Sequence, residues 1–170
     1  GRGAKAGRYK GGAGSASFPR GSGLGVGAHS RTAQDGGDGN YVAAASAGTL
    51  TQTVAKAASA TSVPAPSANP SPYTTPVTFT VTVSGPGVTP TGTVTFFDNG
   101  AALGAVPLSA GGVATITRTL SEGLHPIVAR YDGDVSYLQS TSGVLQQAVK
   151  QASVTVLTSS PNPSDPGHSV

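Results

Sequence analysis

The sequence nearly repeats itself, and no other feature restricts the possible folds as much. Leu24-Gly25-Val26-Gly27-Ala28-His29 lies on Leu120-Ser121-Glu122-Gly123-Leu124-His125, and the match continues through Ala33 on Ala129 and Gly37-Asp38 on Gly133-Asp134 to Tyr41 on Tyr137, at an offset of 96 residues. After one deletion, Leu50, Gln52 and Val54 fall on Leu145, Gln147 and Val149. Further on, Asn69-Pro70-Ser71 falls on Asn162-Pro163-Ser164 and Val77 on Val170, at an offset of 93. Self-similarity at a fixed period marks an array in which each repeat is one structural unit. The chain therefore reads as the tail of one unit, one complete unit over about 58–149, and the first strand of a third. It starts on Gly1 rather than Met, which fits a fragment or a processed chain.

Within the complete unit the apolar residues keep a period of two. Pro76 to Ser84 places Val77, Phe79, Val81 and Val83 on one face and Thr78, Thr80 and Thr82 on the other, the pattern of a strand with one face buried. Gly92 to Phe97 repeats it with Val94 and Phe96, and Asp98-Asn99-Gly100 supplies turn residues that tolerate positive φ. Ala101 to Leu108 carries Pro107, which cannot donate to a ladder and so belongs at a sheet edge. Gly112 to Leu120 turns Ala114 and Ile116 inward, His125 to Tyr131 aligns Ile127, Ala129 and Tyr131, and Gly143 to Val149 closes the unit. With Thr61 to Val63 as the first strand, this makes about seven short, evenly spaced strands, the signature of a two-sheet sandwich. Composition agrees: 25 Gly, 13 Pro, 20 Ser and 20 Thr leave little room for helices.

Three of these segments carry a family resemblance. Pro76-Val77-Thr78-Phe79-Thr80-Val81, Gly92-Thr93-Val94-Thr95-Phe96, and Gly123 to Tyr131 with Gly133-Asp134 and Tyr137 resemble the bacterial Ig-like repeat domains of large surface proteins. The resemblance runs from about Leu24 to the C-terminus. It implies an all-β, immunoglobulin-like antiparallel β-sandwich, one complete repeat flanked by partial repeats, in an extracellular or cell-surface setting. It implies no reaction, because such domains serve mostly as stalks, spacers and adhesion modules. Neighbouring Ig-like repeats of the same chain are the expected partners, with a surface glycan or protein ligand as the alternative.

The partial first unit departs from the pattern. Where the complete unit has inward Ile127 and Tyr131, it holds Arg31 and Asp35, charges that a sandwich core takes only at a heavy desolvation cost. Residues 1–23 contain Gly, Ala, Arg and Lys in place of apolar strands. The expected organisation is thus a Gly/Arg-rich disordered segment with a repeat remnant over 1–36, the last strand of that repeat and a linker over 37–57, the complete domain over 58–149, and the opening strand of another repeat over 150–170.

Charge and residue chemistry narrow the function. Arg2, Lys5, Arg8, Lys10, Arg20 and Arg31 concentrate the basicity in the first 31 residues, while the rest carries four basic residues against seven acidic ones. The body of the chain therefore lacks the clustered cations that phosphate contacts need, and nucleic acid is not an expected partner. The Gly/Arg segment has only Tyr9 and Phe18 for stacking on bases. The uncharged stretch from Ala57 to Phe97 is broken by seven prolines, so membrane insertion is not expected either. With no Cys, disulfides, thiol chemistry and cysteine metal sites are excluded. His29, His125 and His168 lie far apart, and the first two occupy one repeat position, which suits a hydrogen-bonded structural role better than a catalytic base. Asp132-Gly133-Asp134 is the best metal candidate, with Asp38 recurring opposite Asp134, and it needs help from carbonyls, Asp98 or a neighbouring repeat to hold calcium. Calcium wants six to eight oxygens and a turn supplies few, so an Asp134 that caps its own turn is the stronger reading, and no metal, cofactor or catalytic residue is assigned.

Overall fold

The computed structural model describes residues 23–158 and 167, and the chain divides after Ala55 into two compact units. Among the described residues every regular element is a strand. The first unit contains β1 (Gly27–Arg31), β2 (Gln34–Asp35), β3 (Ala44–Ala45) and β4 (Leu50–Val54). β1 pairs antiparallel with β4, and β2 with β3, as two separate two-stranded sheets. None of its described residues is buried. The expectation of disorder over 1–36 thus needs correction from Gly27 onward, where backbone pairing forms even though Arg31 and Asp35 replace the apolar residues a core would need. Residues 1–22 lie outside the described residues.

The second unit is a sandwich. One sheet has six strands in the order β10 (Ala101–Pro107), β9 (Thr93–Asp98), β12 (Gly123–Tyr131), β14 (Leu145–Lys150), β7 (Ser71–Pro72), with β13 (Ser140–Thr141) on β12. The other has four: β11 (Val113–Arg118), β8 (Val77–Ser84) and β5 (Ala60–Thr61), with β6 (Ala65–Pro66) also on β8. β8 alternates as its sequence does, burying Val77, Phe79, Val81 and Val83. They meet Val94 and Phe96 from β9, Ala114 and Ile116 from β11, Ile127, Ala129 and Tyr131 from β12, and Val149 from β14 in one core. Every residue expected in the core lies in it. The architecture is the expected immunoglobulin-like β-sandwich, with Pro107 on the edge strand β10 and Asn99 and Gly100 both at positive φ in the β9–β10 turn.

Two expectations change. The single first strand at Thr61–Val63 is instead a segment broken into β5, β6 and β7, which leaves β8 in one sheet and joins β14 in the other. Pro64, Pro66, Pro70 and Pro72 cause this, since each removes a backbone donor and prevents one continuous ladder. Beyond β14, residues 151–158 form no strand and are exposed, so the expected opening strand is not formed within them. Asn162-Pro163-Ser164, His168 and Val170 lie outside the described residues.

Candidate functional site

The polar side chains capable of chemistry gather at the two ends of β12. At its start, β9 ends on Asp98 just where β12 passes with Ile127 opposite, so His125, two residues earlier on the same face, reaches it. His125 Nδ1 lies 2.7 Å from Asp98 Oδ2, with both side chains largely buried. Its Nε2 lies 3.0 Å from the Ser121 carbonyl and 3.5 Å from the Ser121 hydroxyl. Asp98 therefore pairs with His125 rather than helping a calcium site, and Ser, His and Asp stand in the sequence of contacts that hydrolases use. The sequence did not nominate these partners, because Asp98 and His125 are 27 residues apart.

The geometry nevertheless argues for a structural role. A carbonyl only accepts, so the Nε2 contact with it is one in which the ring donates, and neither ring nitrogen remains a free base toward Ser121 Oγ. The partial repeat supplies a control. His29 Nε2 makes the same contact to the Gly25 carbonyl at 2.7 Å, with Gly where Ser121 stands. What both copies keep is the backbone contact, which ties a strand to the turn before it. Two surface depressions, around 34–36 with 43–45 and around 70–72 with 150–152, include none of the three residues.

At the far end of β12 lies Asp134. Its Oδ1 accepts from the Ser136 and Tyr137 amides, each at 2.7 Å, and its Oδ2 accepts from the Thr91 amide and hydroxyl, each at 2.8 Å. Burial pushes its carboxyl up, but these four donors outweigh it and hold the group well below the usual carboxylate range. Asp132, two residues away, faces Arg130 Nε at 3.3 Å. The calcium candidates are thus not brought together, and donor groups occupy the positions around Asp134 that a cation would take. Asp134 caps its own turn and also fastens the loop before β9; that second task, through Thr91, left no signal in the sequence.

Tyr137 finishes this corner. Its hydroxyl lies within hydrogen-bond distance of the Pro86 and Val88 carbonyls, which share its single proton and pin the β8–β9 loop, and a Cβ at Gly85 would collide with its buried ring. Gly133 sits at φ +83°, where a side chain would press on the Tyr137 carbonyl. Beside them the buried Tyr131 hydroxyl has no hydrogen-bond partner, and burial, then the Asp134 charge, pushes its pKa up to about 12.

A third cluster joins the first segment to the last strand. Gln147 is fully buried, and its Nε2 faces the Ala68 carbonyl at 3.0 Å and Ser71 Oγ at 3.3 Å. Asn69 donates to the Gln146 carbonyl at 2.8 Å and accepts from the Ala148 amide at 2.9 Å. Sequence reading assigned these residues no role, although Asn69, Ser71 and Gln147 are among the few positions that recur between repeats.

Comparison with known proteins gives one match: a family model described as bacterial Ig-like domain (group 3) covers residues 63–150, just over half of the chain. No curated protein and no solved structure matches.

Proposed function

The chain belongs to the bacterial Ig-like domain family, group 3, and from that premise we propose that it is a non-enzymatic spacer of an extracellular or cell-surface repeat protein. One observation supports this reading above the others. The side chains that resemble a site are spent on internal hydrogen bonds: both His125 nitrogens face acceptors and both Asp134 oxygens face donors. Such groups hold turns to strands and offer little to a substrate or a cation. A compact unit of this size spans roughly 30 Å, so each repeat would extend whatever it carries by about that distance.

A binding module is the second reading, favoured by apolar side chains on loops. Val88, Val135 and Leu138 are 67%, 74% and 51% exposed and lie on loops that Asp134 and Tyr137 tie together; Tyr73 is exposed elsewhere. Thermal unfolding of the full chain with calcium and with a glycan panel separates the two. A ligand at 100 times its dissociation constant adds about 2.7 kcal/mol and raises the melting temperature by several degrees. The spacer reading expects no shift, and a shift with a glycan would replace it by adhesion.

A further inference from the structure

We propose that Asn69 and Gln147 form a latch through which the second unit resists being pulled apart by its ends, a property that rests on the spacer reading and gives it a load-bearing part. The registers set the direction of load. The unit begins beside the Tyr137 end of β12, where Ala57 bridges to Tyr137, and β14 ends at the opposite end of β12, where Val149 lies opposite Gly123. Pulling the unit by its two ends therefore draws β7 and β14 in opposite senses along their common axis. These strands are parallel, with Val149 opposite Ser71 and Lys150 opposite Pro72, so the load shears their bonds together instead of opening them one at a time.

The backbone alone makes this junction weak. Pro70 and Pro72 flank Ser71 and carry no N–H, so the first segment has few donors to offer β14. Side chains replace them. The Asn69 amide donates to the carbonyl of Gln146 and accepts from the amide of Ala148, the two groups that a residue of a parallel neighbour would engage across Gln147. It acts as one added rung of the ladder. On the inner side, Nε2 of the fully buried Gln147 lies 3.0 Å from the Ala68 carbonyl and 3.3 Å from the buried Ser71 Oγ, and the Ser71 contact is shielded from water, where a lost hydrogen bond is costly. The Tyr73 amide adds a bond to the Lys150 carbonyl at 2.8 Å.

The repeats keep the parts of this latch. Gln52 stands at the Gln147 position, and its Nε2 donates to the Thr53 carbonyl at 3.2 Å, as Gln147 does to Ala148 at 2.9 Å. Asn162-Pro163-Ser164 repeats Asn69-Pro70-Ser71 in the sequence. Asn and Gln thus recur where few other residues do.

Single-molecule pulling of the full chain tests the latch. Because the chain has no cysteine, handles can be placed uniquely at Ala55→Cys and Gln151→Cys, which load the junction, or at Gly111→Cys and Glu122→Cys, which load β11 instead. Asn69→Ala is expected to raise the unfolding rate at a fixed force about tenfold in the first geometry, since forced unfolding reads the barrier directly, and to leave the second within about twofold. Gln147→Leu, which keeps the bulk and removes the amide, should behave alike. Equal changes in both geometries, or none in the first, would overturn the latch. A ligand-induced thermal shift, which counts against the spacer, would leave this result standing.

Discussion

Residues 24–54 and 120–149 are two copies of one hydrogen-bonding plan with opposite fates for their inner face. In both, a glycine at positive φ opens the strand, Gly27 and Gly123, and a histidine is held by the carbonyl four residues before it. His29 pairs with Gln52 as His125 pairs with Gln147. Asp38 caps the Asn40 and Tyr41 amides as Asp134 caps those of Ser136 and Tyr137, and Ser46 takes the Ala33 amide as Ser142 takes that of Ala129. The inner faces differ: Ile127, Ala129, Tyr131 and Tyr137 are buried, whereas Arg31, Ala33, Asp35 and Tyr41 are exposed. Turns and pairings are local and can be written by a short stretch of sequence. A core is not, because its other half comes from β8, β9 and β11, and no second pair of packed layers accompanies the first copy among the described residues.

Copying the residue of the first unit into the second breaks the comparison most sharply. Ile127→Arg, the residue at the aligned Arg31, places an unpaired charge at a fully buried position and should cost more than about 4 kcal/mol, a large share of the roughly 5–15 kcal/mol that holds a domain together. Urea unfolding followed by circular dichroism would measure it, and a loss below about 1 kcal/mol would mean that Ile127 is not in the core.

Asp134 and Asp38 give the next test. Removing a carboxylate with four donors should cost about 1.5–3 kcal/mol for Asp134→Ala, against about 0.5 kcal/mol or less for Asp38→Ala, whose turn stands on no core. The pH dependence has a definite sign. The folded Asp134 carboxyl lies below its ordinary value of 3.8, so its stabilisation is complete above that value and is lost as pH falls through the depressed one. Asp134→Ala should flatten the loss of stability below about pH 4, and an unchanged acid limb would contradict the assignment.

The smallest effect belongs to Ser121→Gly, which reproduces Gly25. If the histidine is held by the backbone in both copies, thermal stability should change by no more than about 0.5 kcal/mol. A larger loss would give the Ser121 hydroxyl a part that the first copy does not share.

How much of this was legible depended on distance along the chain. β8 announced itself through four apolar residues at period two, and the β9–β10 turn through Asn99-Gly100. The hydrogen-bonded setting of His125 was readable from its recurrence at His29. The breaking of the first segment was not, since strands of two residues have no period and prolines erase the pattern. The pairings of Asp98 with His125 and of Thr91 with Asp134 join residues 27 and 43 apart, and only the folded sheet brings them together. Asn69 and Gln147 were visible as repeats but not as partners, because the sequence did not reveal that the first and last strands lie side by side.

Amide hydrogen exchange at two matched positions tests the central claim most directly. The Ala129 amide donates to Ser142 Oγ at 2.9 Å and the Ala33 amide to Ser46 Oγ at 3.2 Å, one bond written twice with and without a core beneath it. Ala129 should exchange only through opening of the whole second unit, many orders of magnitude more slowly than an unfolded chain, and Ala33 close to the unfolded rate. Protection of Ala33 equal to that of Ala129 would show that the hydrogen-bonding plan alone makes a stable unit, and would contradict the account.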